Sequence, residues 1–372
     1  MVLLVTLPVE ILLQFVEQAK QHRSLKALRG VNRQFCSLVT PFLFNRIVIR
    51  LSQASYSSVL KALSSPDSTR VFHSTRQLVI HRSDELNDPS SRSSTIFIPS
   101  KADESLQCEF VARLSAAMCS LRSNLKSVKL LSGLSDYRAL SISCLWDCLS
   151  EIDVSLKEIH ISGKVDETLP TYLDSYSGLE TLVMRGVWGP SDGNEDRRLA
   201  ESVSRSLLRH RDSLQRLTVI AERHGPWSFG RHLVNDFDQL KSLRYLTLSV
   251  NSEDVAMCDA EADSDIITAW LYVAHRLPNL RSLELCMPES KSLSRWSRGI
   301  GASMESDRRI PYSITLIVRR VLAFDLPRDF ENEASPNVEV YGQVYRMSLE
   351  GKYRSSLTDE EAKARRWVRH GD

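Results

Sequence analysis

Residues 242–248 read SLRYLTL: one small polar residue, then leucines at 243, 246 and 248. Leu246 and Leu248, with Thr247 between them, show the alternation of a strand that buries one face. The same spelling, a small or turn-forming residue followed by Leu-x-x-apolar-x-apolar, recurs five more times. Asn124 precedes Leu125, Val128 and Leu130; Ser155 precedes Leu156, Ile159 and Ile161; Gly178 precedes Leu179, Leu182 and Met184. Ser213 precedes Leu214, Leu217 and Val219, and Asn279 precedes Leu280, Leu283 and Leu285. Helical patterns lie upstream of most units. They run through Phe110, Val111, Leu114, Met118 and Leu121, then Ile142, Leu145, Trp146 and Leu149, then Leu199, Val203 and Leu207. Two more run through Leu233, Val234, Phe237 and Leu240, and through Ile266, Ile267, Trp270, Leu271, Ala274 and Leu277. Strands this short cannot bury a core singly, so repeated helix–strand units must cover one another by stacking.

The pattern extends beyond the six units. Ile47 with Ile49, and Leu78 with Ile80, read as degenerate first strands; ITLIV at 314–318 and Val338-Glu339-Val340 read as late ones. These units resemble leucine-rich repeats. The resemblance implies an α/β solenoid with parallel strands on a concave side and helices outside, and this chain departs from it in spacing. Successive leading leucines are 31, 23, 35, 29 and 37 residues apart, against about 20–29 in the regular repeat. The extra length falls in segments read as loops, WGPSDGNEDRR and NSEDVAMCDAEADSD. Of the family's asparagine ladder only Asn251 is present. An open α/β sheet of parallel strands is the alternative architecture.

Composition bounds the function. The chain has 372 residues, 42% hydrophobic and 25% charged, with 48 basic against 46 acidic side chains. A net charge of +2 gives no global field for nucleic acid or anionic membrane. The opening MVLLV is too short for a signal peptide and no run reaches membrane-span length. Seven cysteines, at 36, 108, 119, 144, 148, 258 and 286, include no CxxC pair. They read as buried reduced thiols of a cytoplasmic or nuclear protein, with no metal.

Residues 7–48 read LPVEILLQFVEQAKQHRSLKALRGVNRQFCSLVTPFLFNRIV, three short amphipathic helices. Leu7-Pro8 opens the first, Glu10 suits its positive end, and Ile11, Leu12, Phe15 and Val16 share a face. Leu25, Leu28 and Val31 mark the second helix; Phe35, Leu38, Val39, Phe42 and Leu43 mark the third, which Pro41 is expected to bend or end. Forty residues bury little among themselves, so a partner or the following units must cover this surface.

The segment resembles the F-box. Leu7, Pro8, Glu10, Ile11 and Leu12 match that family's opening. Leu25, Leu28, Val31, Arg33 and Phe35 match its middle, with Asn32 where a cysteine is usual. Pro41-Phe42-Leu43-Phe44 looks like the close of many fungal members. The resemblance implies docking on a Skp-type adaptor of a cullin-RING ubiquitin ligase through Leu7, Pro8, Ile11, Leu12, Leu28, Val31 and Phe35, with the repeats binding a target protein. Residues 1–45 are then the F-box-like module, 46–345 the irregular repeat domain and 346–372 a helical tail. The alternative is a non-ligase interaction scaffold with a helical cap. A cap would bury the apolar stripe, whereas a docking module would leave it open.

Strand alternation places a mixed polar set on the solvent side: Ser127, Lys129 and Leu131; Glu158, His160 and Ser162; Thr181, Val183 and Arg185; Arg216, Thr218 and Ile220; Tyr245, Thr247 and Ser249; Ser282, Glu284 and Cys286. Lys129, His160, Arg185, Arg216, Tyr245 and Glu284 are its candidates for holding a protein substrate. No phosphate loop, dinucleotide fingerprint, nucleophile elbow or HExxH helix occurs, so no enzyme and no cofactor is expected. His224 and His232, in ERHGPWSFGRH, are the nearest thing to a catalytic or metal loop, and Gly225-Pro226 reads first as a turn. The acidic run at 258–265 lacks the glycine and glutamate of a calcium loop.

Overall fold

The computed structural model describes residues 7–51, 74–82, 124–132, 143–189, 192–228, 237–251, 266–288, 304–326, 335–340, 343–348 and 351–355, with residues 58, 61, 109, 112–114, 116 and 255 between them. The chain divides into two compact units. Residues 1–133 with 147–156 form the first, and 134–146 with 157–372 the second.

In the first unit three helices lead into three strands. Helix α1 spans Val9–Gln21, α2 Leu25–Arg29 and α3 Arg33–Leu43. Pro8 stands just before α1, and its carbonyl accepts from the N–H groups of Ile11 and Leu12. Asn32 caps α3: its side-chain oxygen accepts from Phe35 N–H at 2.8 Å. That supplies one of the bonds a helix start otherwise lacks, a service cysteine performs poorly. Helix α3 runs through Pro41 for two more residues, so Pro41 does not end it. Leu12, Val16, Phe35 and Val39 form the core of the three helices, and Leu7, Leu25, Leu28, Leu38 and Leu43 pack on it. Strands β1 (Arg46–Leu51), β2 (Gln77–Arg82) and β3 (Ser127–Ser132) follow, parallel and in chain order. Ile49, Leu78, Ile80, Val128 and Leu130 face inward.

Helix α4 is Ser143–Glu151. The second unit then alternates strand and helix: β4 (Glu158–Lys164), α5 (Thr168–Ser175), β5 (Thr181–Trp188), α6 (Gly193–Leu207), β6 (Arg216–Ala221), β7 (Tyr245–Ser249), α7 (Ile266–Arg276), β8 (Ser282–Cys286), α8 (Met304–Ala323) and β9 (Asn337–Val340). Strands β4 to β9 are parallel and lie in chain order. β10 (Gln343–Met347) and β11 (Tyr353–Ser355) close the order as antiparallel neighbours, leaving an open mixed sheet.

The repeated spelling has a physical reading in this unit. In every strand from β4 to β8 both inward residues are buried, from Ile159 and Ile161 to Leu283 and Leu285. The leading leucines, Leu179, Leu214, Leu243 and Leu280 among them, are buried too. In three units the small residue ahead of the leucine ties the unit to the one before it. Ser213 Oγ donates to Leu179 O, Ser242 Oγ to Asp212 O and Asn279 Nδ2 to Lys241 O, each at 2.8 Å. Leu182 sits mid-sheet with no exposed surface. Leu182→Ala is expected to cost about 2–5 kcal/mol in urea unfolding, against about 1 kcal/mol or less for Thr181→Ala beside it.

Several expectations are corrected. ITLIV 314–318 is not a strand but lies within α8. Its branched residues favour strands, yet Leu316, Ile317 and Val321 bury one helical face while Thr315 and Arg319 lie outside; packing overrides propensity. Helix α5 carried no sequence signal that was read. The segment WGPSDGNEDRR is not all loop, because Asp192 caps α6 by accepting from Asn194 N–H and the helix begins at Gly193. The tail expected from 346 onward begins instead as strand: β10 runs to Met347 and β11 follows. The tail's expected helix, the acidic run at 258–265, His232, most of the pattern at 110–121 and the first half of that at 233–240 lie outside the described residues.

Candidate docking faces

Two surfaces answer to the expected sites. On the helices, burial divides the seven adaptor candidates. Leu12 and Phe35 are fully buried in the helical core, so neither can meet a partner. Both were placed on the docking stripe by motif position, which does not separate inward from outward residues. Leu7 and Leu28 are half-buried against the same core. Pro8, Ile11 and Val31 face solvent, Val31 with 54% of its surface. The structure adds exposed apolar residues that the motif reading missed or left unassigned: Val9, Leu13, Phe15 and Phe42. The four-residue spacing of Ile11 and Phe15 puts them on one flank of α1, and that of Val9 and Leu13 on the other. Phe15 touches Phe35 edge-on at 6.5 Å, while Lys20 lies over Phe42 at 5.9 Å. A helical wheel centred on Leu12 and Val16 would have exposed these flanks.

On the sheet, none of the six substrate candidates is buried. His160 is half-exposed and bonded to Glu158 at 2.6 Å. Glu284 accepts from Thr247 Oγ1 at 3.1 Å. Arg185 is exposed, and Lys129, half-buried, belongs to β3 of the first unit. Arg216 and Tyr245 come together, in register on β6 and β7, with the guanidinium 4.8 Å over the ring. Four expected lining residues, Ser127, Thr218, Ile220 and Ser249, are buried instead. Ser249 turns in to accept from Ala221 N–H at 2.9 Å.

Strict alternation fails at the strand starts. There two successive N–H groups share one carbonyl of the preceding strand. Gln215 and Arg216 donate to Glu180 O, Arg244 and Tyr245 to Gln215 O, and Arg281 and Ser282 to Arg244 O, at 2.8–3.2 Å. This shared-carbonyl pattern repeats along the sheet, and Arg244 and Arg281, just ahead of β7 and β8, are exposed. The signal was present: Lys126, Lys157, Arg244 and Arg281 each follow a leading leucine directly.

The ERHGPWSFGRH segment is an anchor where it is described. Trp227 is buried, and its indole N–H donates to Asp196 Oδ1 at 2.5 Å. Burial raises the Asp196 pKa, against the pull of the Trp227 and Gly189 N–H groups. A Cβ at Gly189 would collide with that carboxylate. Gly189→Ala is therefore expected to lower stability by about 1–3 kcal/mol, measured by thermal melting followed through tryptophan fluorescence. Among the described residues no three His, Cys, Asp or Glu side chains gather as metal donors, and no helix is long and apolar enough to cross a membrane.

No protein-family model matches this chain, and no curated protein matches it. Among solved structures it is similar to a Bacteroides fragilis protein from a structural genomics programme, at 13% identity and a TM-score of 0.31, over 68% of this chain and 71% of that one.

Proposed function

We propose that this chain is the target-recognition subunit of an SCF-type cullin-RING ubiquitin ligase. Helices α1–α3 are its F-box-like module and dock on a Skp-type adaptor. The helix–strand units behind them are an irregular leucine-rich-repeat solenoid that holds a target protein. One observation carries the reading. Of nine large apolar side chains exposed among the described residues, six lie between Val9 and Phe42. A cap would spend that surface on the strands that follow it, whereas a docking module keeps it open for a partner. The adaptor would cover the flanks of α1, the α2–α3 turn at Val31 and the end of α3 at Phe42.

The mechanism is proximity. A receptor that holds the target near the ubiquitin-charged enzyme raises effective concentration and supplies no reacting group. Co-expression with a Skp-type adaptor, followed by size-exclusion chromatography of the full chain and of a 1–45 deletion, tests it. The expected result is a 1:1 complex that the deletion abolishes. A soluble full-length chain that forms no complex would sink the ligase reading and favour an interaction scaffold.

A further inference from the structure

The sheet of the second unit carries charge that the described residues leave uncompensated. Arg216, Arg244 and Arg281 stand at the starts of β6, β7 and β8, all exposed. The backbone bonds Arg244 N–H to Gln215 O and Arg281 N–H to Arg244 O place the last two on adjacent strands. Arg216 lies across from Tyr245, the residue after Arg244. Like charges on neighbouring strands repel. Among the described residues no carboxylate pairs with any of the three. The nearby polar groups do have partners: Lys157 with Glu180, His160 with Glu158 and Thr247 with Glu284. Three arginines at neighbouring backbone positions, with no carboxylate partner among the described residues, on a chain of net charge +2, are a local feature and not a general basic field.

We infer that Arg216, Arg244 and Arg281, grouped around Tyr245, form a site for an acidic peptide segment. This rests on the reading of the repeats as the target-binding part and names the chemistry of the target that the reading leaves open. Three observations select this ligand. Stacking on Tyr245 holds the Arg216 guanidinium in place, which leaves its planar fork ready for a carboxylate. Neighbouring strands lie about 4.8 Å apart, so the three arginines span roughly 10 Å, and an extended peptide sets same-side side chains about 6.6 Å apart. Two or three carboxylates of one segment fit that span, whereas a lone phosphate covers part of it. Nucleic acid would need a longer basic track, and here Glu180 and Asp212 lie beside the arginines in the neighbouring units.

The test uses the full-length protein and fluorescein-labelled hexaglutamate, read by fluorescence anisotropy from 50 to 300 mM salt. Wild type should bind more weakly as salt rises. Arg244→Gln with Arg281→Gln should weaken binding by at least about tenfold, and Arg216→Gln by about threefold or more, given the strength of charge-assisted bonds. Arg205→Gln, an exposed arginine on α6 outside the sheet face, should change it less than about twofold. The Arg244→Gln/Arg281→Gln pair should melt no lower than wild type, because removing like charges relieves repulsion. The inference is overturned if wild type does not bind hexaglutamate, if Arg205→Gln costs as much as the pair, or if single-stranded RNA of equal charge binds as tightly. Adaptor binding is assayed on the same samples. If the adaptor complex forms while hexaglutamate does not bind, this inference fails alone. If no adaptor complex forms while hexaglutamate binds through the arginines, the ligase reading fails and the peptide site stands.

Discussion

Replacing Ile11 and Phe15 together by aspartate is expected to weaken the complex with a Skp-type adaptor by at least about a hundredfold, while the melting temperature moves by only a few degrees. The two side chains are 38% and 47% exposed and lie four residues apart on one flank of α1. Each would lose under half of the about 1.5–3 kcal/mol that full burial of such a side chain gives, and a carboxylate left unpaired in the interface adds several kcal/mol more. Tenfold in affinity corresponds to about 1.4 kcal/mol, so two such losses exceed a hundredfold. Leu12→Asp is the contrasting variant. Leu12 has no exposed surface and packs with Val16, Phe35 and Val39. It should melt the helices and lose the complex for that reason alone, visible as lost helical circular dichroism. A complex that survives Ile11→Asp/Phe15→Asp with helices intact would exclude this flank. Val9→Asp with Leu13→Asp would then test the other.

Acid should unfold the second unit between pH 6.5 and about 4, and two histidines are the reason. His210 is buried; its Nδ1 accepts from Leu179 N–H at 3.3 Å and its Nε2 faces Leu173 O at 3.1 Å. That arrangement requires the neutral ring, since a proton on Nδ1 would point at another N–H. Burial lowers its pKa to about 4 from 6.5, with Arg209 adding to the effect and the Leu173 carbonyl and Asp174 opposing it. His275 is equally buried, stacked on Phe324 at 5.7 Å and 3.0 Å from the Tyr353 hydroxyl; burial lowers its pKa to about 4 as well.

The sign follows from proton counts. Above pH 6.5 neither state is protonated and the full contribution is present. As pH falls, the unfolded chain takes up protons that the folded one refuses, so stability is lost until about pH 4, where both states bind them. At about 1.4 kcal/mol per pH unit this makes roughly 3 kcal/mol per histidine, a large share of the 5–15 kcal/mol that holds an ordinary protein. Urea midpoints should fall steadily from pH 7 to 4.5. His210→Gln should be less stable at pH 7.5 and show a visibly flatter pH profile. A midpoint that does not change across this range would mean that neither ring is held neutral by the fold.

The strands were legible because their pattern is local. Leu-x-x-Leu-x-Leu marks inward residues by alternation alone, and Leu246 with Leu248, or Leu283 with Leu285, needed no knowledge of neighbours. Where burial depends on what packs against a segment, reading failed. ITLIV carries strand propensity, yet α8 buries Leu316, Ile317 and Val321 along a helical face. Motif matching grouped Leu12 with Ile11, although one turns into the helical core and the other outward. Alternation assigns Arg244 and Arg281 inward, yet both are exposed, because they stand just ahead of their strands, where the strand pattern no longer applies.

The sequence by itself determined the α/β class, the position of each strand from β3 to β8, the buried leucines and the presence of three N-terminal helices. These follow from periodicity, and the hydrophobic effect acts on it wherever the chain folds. Only the tertiary structure decided which flank of α1 stays open, that Arg216 rests on Tyr245, and that Trp227 is tied to Asp196. Each of those joins residues from different elements, and such contacts depend on register and packing between segments that no single stretch of sequence contains.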